Sequence, residues 1–228
     1  MINKVTFPED YDLIIEKESQ RRFPTKRIVP GRHDREKNPY EVFLLFQKDA
    51  EFNFKPGVNI IVGENGSGKT TLLSLIKNHI AHDGSYIEVD GDITTENTIF
   101  FNGEEDNPVT AIPKMANPAE TESYVPLLQH LMFAQAESHG ESMLPALDYI
   151  LTEAKGGYTI FMDEPETALS LKNQISLASK FKMSAGEYGN QLIISTHSLA
   201  IIQQFSSIFD METSQWWKTD KYLKENYV

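Results

Sequence analysis

The sequence predicts an α/β fold in which a mainly parallel sheet is covered by helices on both faces. Two observations predict it. Short strand-like runs at Val58–Val62, Tyr158–Met162 and Gln191–Ser195 alternate with segments of helical spacing, the pattern of strands buried on both faces. Each run also ends in a polar cluster: Gly63-Glu64-Asn65-Gly66-Ser67-Gly68-Lys69-Thr70-Thr71 after the first, Asp163-Glu164-Pro165-Glu166 after the second, Thr196-His197-Ser198 after the third. In open α/β sheets the carboxyl ends of strands are where ligands lie.

The first cluster organises the chain. An apolar strand precedes it, and Leu72, Leu73, Leu75 and Ile76 follow at helical spacing. Strand, glycine loop and helix in that order make a phosphate-binding loop. Glycines let the backbone wrap a phosphate with successive N–H groups turned inward, and the helix N-terminus adds partial positive charge. Gly63, Glu64, Asn65, Gly66, Ser67, Gly68, Lys69, Thr70 and Thr71 are therefore the expected nucleotide contacts. Lys69 is expected to reach the β- and γ-phosphates, and the Thr70 hydroxyl to bind Mg²⁺. A glycine-rich turn with a chance lysine would lack this flanking context. A nucleoside triphosphate, ATP with Mg²⁺, is the expected ligand.

Composition narrows the class. The chain has 228 residues and a formal net charge of −12, with no cysteine. That length suits one α/β domain with a substantial core. Disulfides, thiolate metal sites and cysteine nucleophiles are excluded. No run of about 18 or more apolar residues occurs, so no membrane span is expected. Met1 to Asp12 does not read as a secretory signal, which makes the cytoplasm the simplest location. The acidic balance disfavours indiscriminate nucleic-acid binding. Locally, however, Arg21, Arg22, Lys26, Arg27, Arg32, Arg35 and Lys37 face only Asp34 and Glu36. That stretch is either a solvated loop or a contact for the phosphates of nucleotide or nucleic acid.

Taken in order, residues 1–40 are polar and interrupted by prolines, with Ile28-Val29 as a possible short strand. Residues 1–57 are expected to form an N-terminal antiparallel β-region. Glu41–Phe46 is a β-rich run, and Phe52/Phe54 and Val58–Val62, separated by Pro56-Gly57, read as neighbouring strands. A helix over Lys69–His79 follows, then strands at Tyr86–Val89 and Thr98–Phe101 around an Asp90-Gly91-Asp92 turn. Residues 102–137 carry Pro108, Pro113, Pro118 and Pro126 and form a short helical insert, with a helix at Leu127–Glu137. Met143, Leu144, Leu147, Ile150 and Leu151 make Ser142–Ala154 a helix whose stripe is core, ended by Gly156-Gly157. Helices are also expected over Ser170–Met183 and Leu199–Phe205. Trp216-Trp217 belongs either to the core or to an exposed partner patch.

Asp163 is the expected second metal ligand, directly or through water, since Mg²⁺ keeps several waters. Glu164 stands where a carboxylate can polarise a water aimed at the γ-phosphate. A pair of loop acids is usually only solvated; the buried strand ahead of this one argues for chemistry. A lone histidine is usually structural, but His197 at a strand end can bond to the γ-phosphate and sense it.

The order of Gly63–Thr71, Ser138-His139-Gly140-Glu141-Ser142, Met162–Ser170 and Ser195-Thr196-His197-Ser198 resembles ABC-type ATPases over residues 40–205. Within that group it resembles the small soluble RecF/SMC-like predicted ATPases. The resemblance implies a P-loop NTPase fold and ATP hydrolysis with Glu164 as base and His197 as switch histidine. It also implies that Ser138 and Gly140 form a signature motif contacting the γ-phosphate held by a second subunit, so that the chain works as an ATP-sandwiched homodimer. Ala168, Leu169 and Ser170 would form the D-loop across that interface. A DNA repair, recombination or antiphage-defence role, with a nuclease or other effector as partner, follows only by family analogy.

The sequence departs from the family in two places. Glu137 and His139 replace the usual signature Leu and first Gly, and no glutamine falls where the Q-loop should follow the strand Thr98–Phe101, leaving Asn102, Glu104 or Glu105 for its role. The Phe101–Ser138 spacing leaves no room for a coiled-coil arm. Two further functions compete: the nucleotide-binding subunit of an ABC transporter, and a slow-turnover regulatory module. A kinase would not need a signature serine and a switch histidine together.

Overall fold

The structure, a computed structural model, describes residues 1–7, 51–81, 87–103 and 139–227. The basic stretch Arg21–Lys37, the runs at Ile28-Val29 and Glu41–Phe46, and the insert beyond Gly103 up to Ser138 lie outside these residues, as does the helix expected at Leu127–Glu137. In chain order the elements are β1 (Ile2–Thr6), β2 (Glu51–Asn53), β3 (Val58–Val62), α1 (Lys69–Ala81), β4 (Glu88–Gly91), β5 (Thr98–Asn102) and α2 (His139–Glu153). There follow β6 (Thr159–Asp163), α3 (Leu171–Glu187), β7 (Gln191–Ser195), α4 (Leu199–Ile202), β8 (Ser207–Asp210), β9 (Gln215–Lys218) and α5 (Thr219–Tyr227).

Six strands form one sheet in the order β5-β6-β7-β3-β8-β9. All pairs are parallel except β8 with β9, which is antiparallel. Alternate residues of the central strands feed two cores. Ile60, Ile160, Met162, Leu192 and Ile194 face α2, α3 and α4, through Met143, Leu147, Leu177, Phe181 and Ile201. Ile61, Phe161, Ile193 and Phe209 face Leu72, Leu73 and Ile76 of α1 on the other side. Burial on both faces is why these strands read as continuous apolar runs.

A second, antiparallel sheet has the order β2-β1-β4. This sheet contains the antiparallel β-region expected within residues 1–57, but β1 falls in a stretch that reads as polar, where no individual strand is expected. The reason is local. Ile2, Val5 and Phe7 are all buried, and the first two are three residues apart, which breaks the period of a regular strand. The pairing register with β4 shifts between Ile2 and Lys4, and this irregularity brings both side chains to the core side.

The structure also corrects the expected adjacency of Phe52/Phe54 and Val58–Val62. β2 pairs with β1, whereas β3 lies between β7 and β8. The turn between β2 and β3 sends the chain from one sheet to the other. Gly57 adopts φ +83° there, a conformation that costs glycine little. Asn59 clamps the turn, accepting from the Lys55 N–H at 2.7 Å and donating to the Lys55 carbonyl at 2.8 Å. The two sheets are joined by the buried side chain of Gln191. Its Oε1 accepts from the Ile2 N–H and its Nε2 donates to the Ile2 and Lys55 carbonyls, at 2.8, 2.8 and 3.0 Å.

Several boundaries move. The strand expected at Tyr86–Val89 is β4 at Glu88–Gly91, the helix expected over Leu199–Phe205 closes at Ile202, and α3 runs on to Glu187. Trp216 and Trp217 are partly buried and pack against the core. They lie on opposite faces of β9, Trp217 against one core cluster and Trp216 against the other. The Trp216 indole N–H donates to the Asn53 carbonyl at 2.9 Å, and Lys55 Nζ lies 3.7 Å from its ring centre.

Candidate nucleotide site

Four strands deliver polar groups to one edge of the six-stranded sheet. β3 ends in the glycine loop, β5 in Asn102, β6 in Asp163 and β7 in Ser195, with Asn102 and Ser195 both level with Asp163 across the ladder. The loop from Gly63 to Gly68 uses three glycines at φ +153°, +89° and +95°. At Gly63 a β-carbon would meet Ser67 Oγ at 2.5 Å, so a side chain there is barred sterically as well as conformationally. Ser67 Oγ is buried and has no hydrogen-bond partner among the described residues. A buried hydroxyl left unpaired inside a glycine loop suits a ligand that brings an acceptor.

Lys69 opens α1 and is buried. Its Nζ donates to the carbonyls of Gly63 and Glu64 at 2.8 and 3.0 Å, so it lies across its own loop. Burial pushes its pKa down, and the carboxylates of Glu164, Asp163, Glu212 and Glu166 oppose that shift. Glu212, from the turn after β8, accepts from the Glu64 N–H at 3.0 Å. Glu64, Asn65, Gly66 and Thr70 are exposed.

Asp163 is nearly buried, at 8% exposure. Ser195 Oγ donates to its Oδ1, and Asn102 Nδ2 to its Oδ2 at 3.5 Å. Both oxygens are thereby oriented by neighbouring strands. Thr70 and Asp163 line one small pocket together with Asn102, Ser74 and Lys77. A hydroxyl and an oriented carboxylate are hard oxygen donors and fit Mg²⁺, whose remaining positions phosphate oxygens and water would fill.

Glu164 is a non-glycine residue at φ +47°, a conformation that surrounding structure must hold. Its N–H donates to the Ser195 carbonyl at 3.0 Å, and its carbonyl accepts from the Thr167 N–H at 3.1 Å and hydroxyl at 2.9 Å. Gly103 presses on the same carbonyl: a β-carbon there would lie 2.1 Å from the oxygen. Gly103→Ala is expected to cost about 1–3 kcal/mol of stability, as overpacking does, and urea unfolding checks it. The Glu164 carboxylate meets His197, Oε1 to Nε2 at 3.3 Å. Burial raises the Glu164 pKa most; His197 and Lys69 pull it back, while Asp163 and Glu166 push it further up.

The loop bearing His197 is held by residues that sequence reasoning did not assign. Glu166 Oε1 accepts from Thr196 Oγ1 at 2.6 Å and from the N–H groups of His197 and Ser198 at 2.9 and 3.1 Å. Gln174 donates to the Leu169 carbonyl at 2.9 Å and accepts from Ser198 Oγ at 2.7 Å. Glu166 stands in the Asp163-Glu164-Pro165-Glu166 run, which the sequence makes visible, whereas its partners lie some 30 residues on. Of the expected signature residues, Ser138 lies outside the described residues and Gly140 is in the first turn of α2. Ala168, at φ +66° and exposed, and Ser170, the N-cap of α3, form the turn after Glu166.

This fold recurs in known proteins. A family model described as an AAA domain matches residues 40–128. A nucleotide-free ATP-binding cassette from an ABC transporter superposes with a TM-score of 0.53 at 16% identity, covering 80% of this chain and 90% of that one. The protein cbiO1 of Clostridium perfringens, part of the ABC transporter complex cbiONQ, gives 0.53 at 18% identity, with 78% and 84% covered. A dimeric post-hydrolysis ATP-binding cassette bound to ADP and Pi gives 0.50 at 18% identity, with 77% and 90% covered. The chain has the fold of an ATP-binding cassette. In cassette terms the glycine loop, Asp163-Glu164 and His197 occupy three adjoining strand ends, on β3, β6 and β7. No helix among the described residues is long and apolar enough to cross a membrane.

Proposed function

We propose that the chain is a Mg²⁺-dependent ATPase, with Glu164 as general base and His197 as the group that touches the γ-phosphate. The observation that carries this is the Glu164–His197 contact of 3.3 Å, made at the ends of β6 and β7 on the edge where β3, next to β7, bears the glycine loop. N–H groups of the loop and of the α1 N-terminus bind phosphate oxygens. Ser67 Oγ supplies a hydroxyl that has no other partner among the described residues. Lys69 exchanges two carbonyls of its own loop for the β- and γ-phosphates. Thr70 and Asp163 would hold Mg²⁺, which when bound neutralises charge on the phosphates. Glu164 takes a proton from the attacking water, and its raised pKa makes it a stronger base for that task. His197 touches the γ-phosphate and, through Nε2, orients the Glu164 carboxylate.

The assembly follows the same reading. The similar cassette that is dimeric with ADP and Pi supports a site closed by a second copy. Ser138 and Gly140 of one chain would face the γ-phosphate held by the other, with Ala168, Leu169 and Ser170 between them. Glu164→Gln protein should double its mass in saturating Mg-ATP and revert without nucleotide; light scattering reads this, and a monomer under both conditions would end the sandwich model. The segment that would take nucleic acid, Arg21–Lys37, lies outside the described residues. No described residue favours a DNA-linked or defence role, or a protein effector, over transport or slow regulation. The proposal therefore ends at an ATP-driven switch.

A further inference from the structure

We propose that Glu166 is a positioning residue, which holds the His197 loop against the Asp163–Ser170 turn so that His197 and Glu164 reach the γ-phosphate as one unit. This rests on the ATPase reading above. Both partners sit on non-regular backbone, Glu164 on a turn at positive φ and His197 between β7 and α4. Their side-chain contact is a single partly exposed one of 3.3 Å, which by itself is worth little in solvent. Something else must fix the two loops, and Glu166 does so. One of its carboxylate oxygens gathers donors from three consecutive residues, Thr196, His197 and Ser198. Hydrogen bonds to a charged acceptor are the stronger kind.

The rest of the loop is braced in the same direction. Ser198 N–H is shared with Thr196 Oγ1 at 3.0 Å, and Ser198 Oγ accepts from the Ile201 N–H at 3.1 Å while donating to Gln174. Gln174 in turn holds the Leu169 carbonyl. The histidine loop is thus tied at one end to residue 166 and at the other to residue 169 of the same turn. With Oε1 occupied by three donors, Glu166 is placed to hold this loop; the water-activating carboxylate is Glu164. Its second oxygen, Oε2, is buried and has no partner among the described residues, an arrangement that lowers stability. A side chain kept at that cost is explained by what Oε1 holds in place.

Single-turnover hydrolysis of γ-labelled ATP tests this in four proteins: wild type, Glu166→Ala, His197→Ala and the double variant. Glu166→Ala should lower the hydrolysis rate by roughly 10- to 100-fold, the range for lost supporting contacts, with ATP affinity within about 3-fold. Glu166→Gln, whose amide oxygen can accept the same three donors, should recover most of the rate. In the His197→Ala background the Glu166→Ala loss should shrink to less than about 2-fold, the non-additivity of residues acting through one another. Should Glu166→Ala fail to fold, Thr196→Val removes one donor and is expected to show the same background dependence at smaller size. An equal loss in both backgrounds, a Glu166→Ala rate equal to wild type, or a loss confined to ATP affinity overturns the proposal. Failure of the ATPase reading looks different: wild type itself would show no hydrolysis, or Glu164→Gln would hydrolyse as fast as wild type.

Discussion

Glu164→Gln protein should bind ATP at least as tightly as wild type and hydrolyse it roughly 10²–10⁴ times more slowly, the usual worth of a positioned general base. The amide keeps the shape of the carboxylate, and its carbonyl can still accept from His197 Nε2. What it loses is the ability to take a proton from water. It also loses one negative charge from a site where Asp163, Glu166 and Glu212 remain, so a triphosphate meets less repulsion there. Equilibrium nucleotide binding and rapid-quench hydrolysis measured on the same preparation separate the two effects. A variant that binds more weakly and hydrolyses in proportion would place Glu164 among the binding groups instead.

The second large effect belongs to Lys69. Lys69→Ala should raise the ATP dissociation constant at least about 30-fold, equivalent to roughly 2 kcal/mol for a hydrogen bond to a charged group. Lys69 Nζ already lies over the loop on the Gly63 and Glu64 carbonyls, so it needs only to exchange partners when phosphate arrives. Burial disfavours its charge, and the surrounding carboxylates sustain it. Arginine should not restore binding, since its planar fork is wider than the ammonium point charge it replaces. Calorimetric titration with ATP reads both variants. Near-wild-type affinity in Lys69→Ala would mean that the loop does not hold the triphosphate.

Much of this site is legible in the sequence because parallel strands buried on both faces leave a plain signal. An apolar run of five residues ends where the sheet ends, and the polar residues after it are forced to that one edge. Gly63–Thr71, Asp163-Glu164 and His197 are all found by that rule alone. Contacts between segments far apart in the chain are another matter. Ser195 reaches Asp163, Glu166 reaches Thr196 to Ser198, and Gly103 presses on Glu164. No local pattern distinguishes these residues from ordinary loop polar groups or a turn glycine. β1 escaped for a different reason: its irregular register puts Ile2 and Val5 on one side, and period-two reading assumes regular pairing. The jump from β2 to β3 between sheets is likewise carried by tertiary contacts, those of Asn59 and Gln191, rather than by the Pro56-Gly57 turn signal.

Hydrolysis at this site is tested most directly by phosphate release from ATP by the wild-type protein, followed with Mg²⁺ present and again after chelation with EDTA. Steady release that stops with EDTA and restarts when Mg²⁺ is returned is the expected result, with Glu164→Gln silent under every condition. Wild-type protein that binds ATP yet releases no more phosphate than Glu164→Gln would contradict an ATPase and leave a nucleotide-binding module in its place.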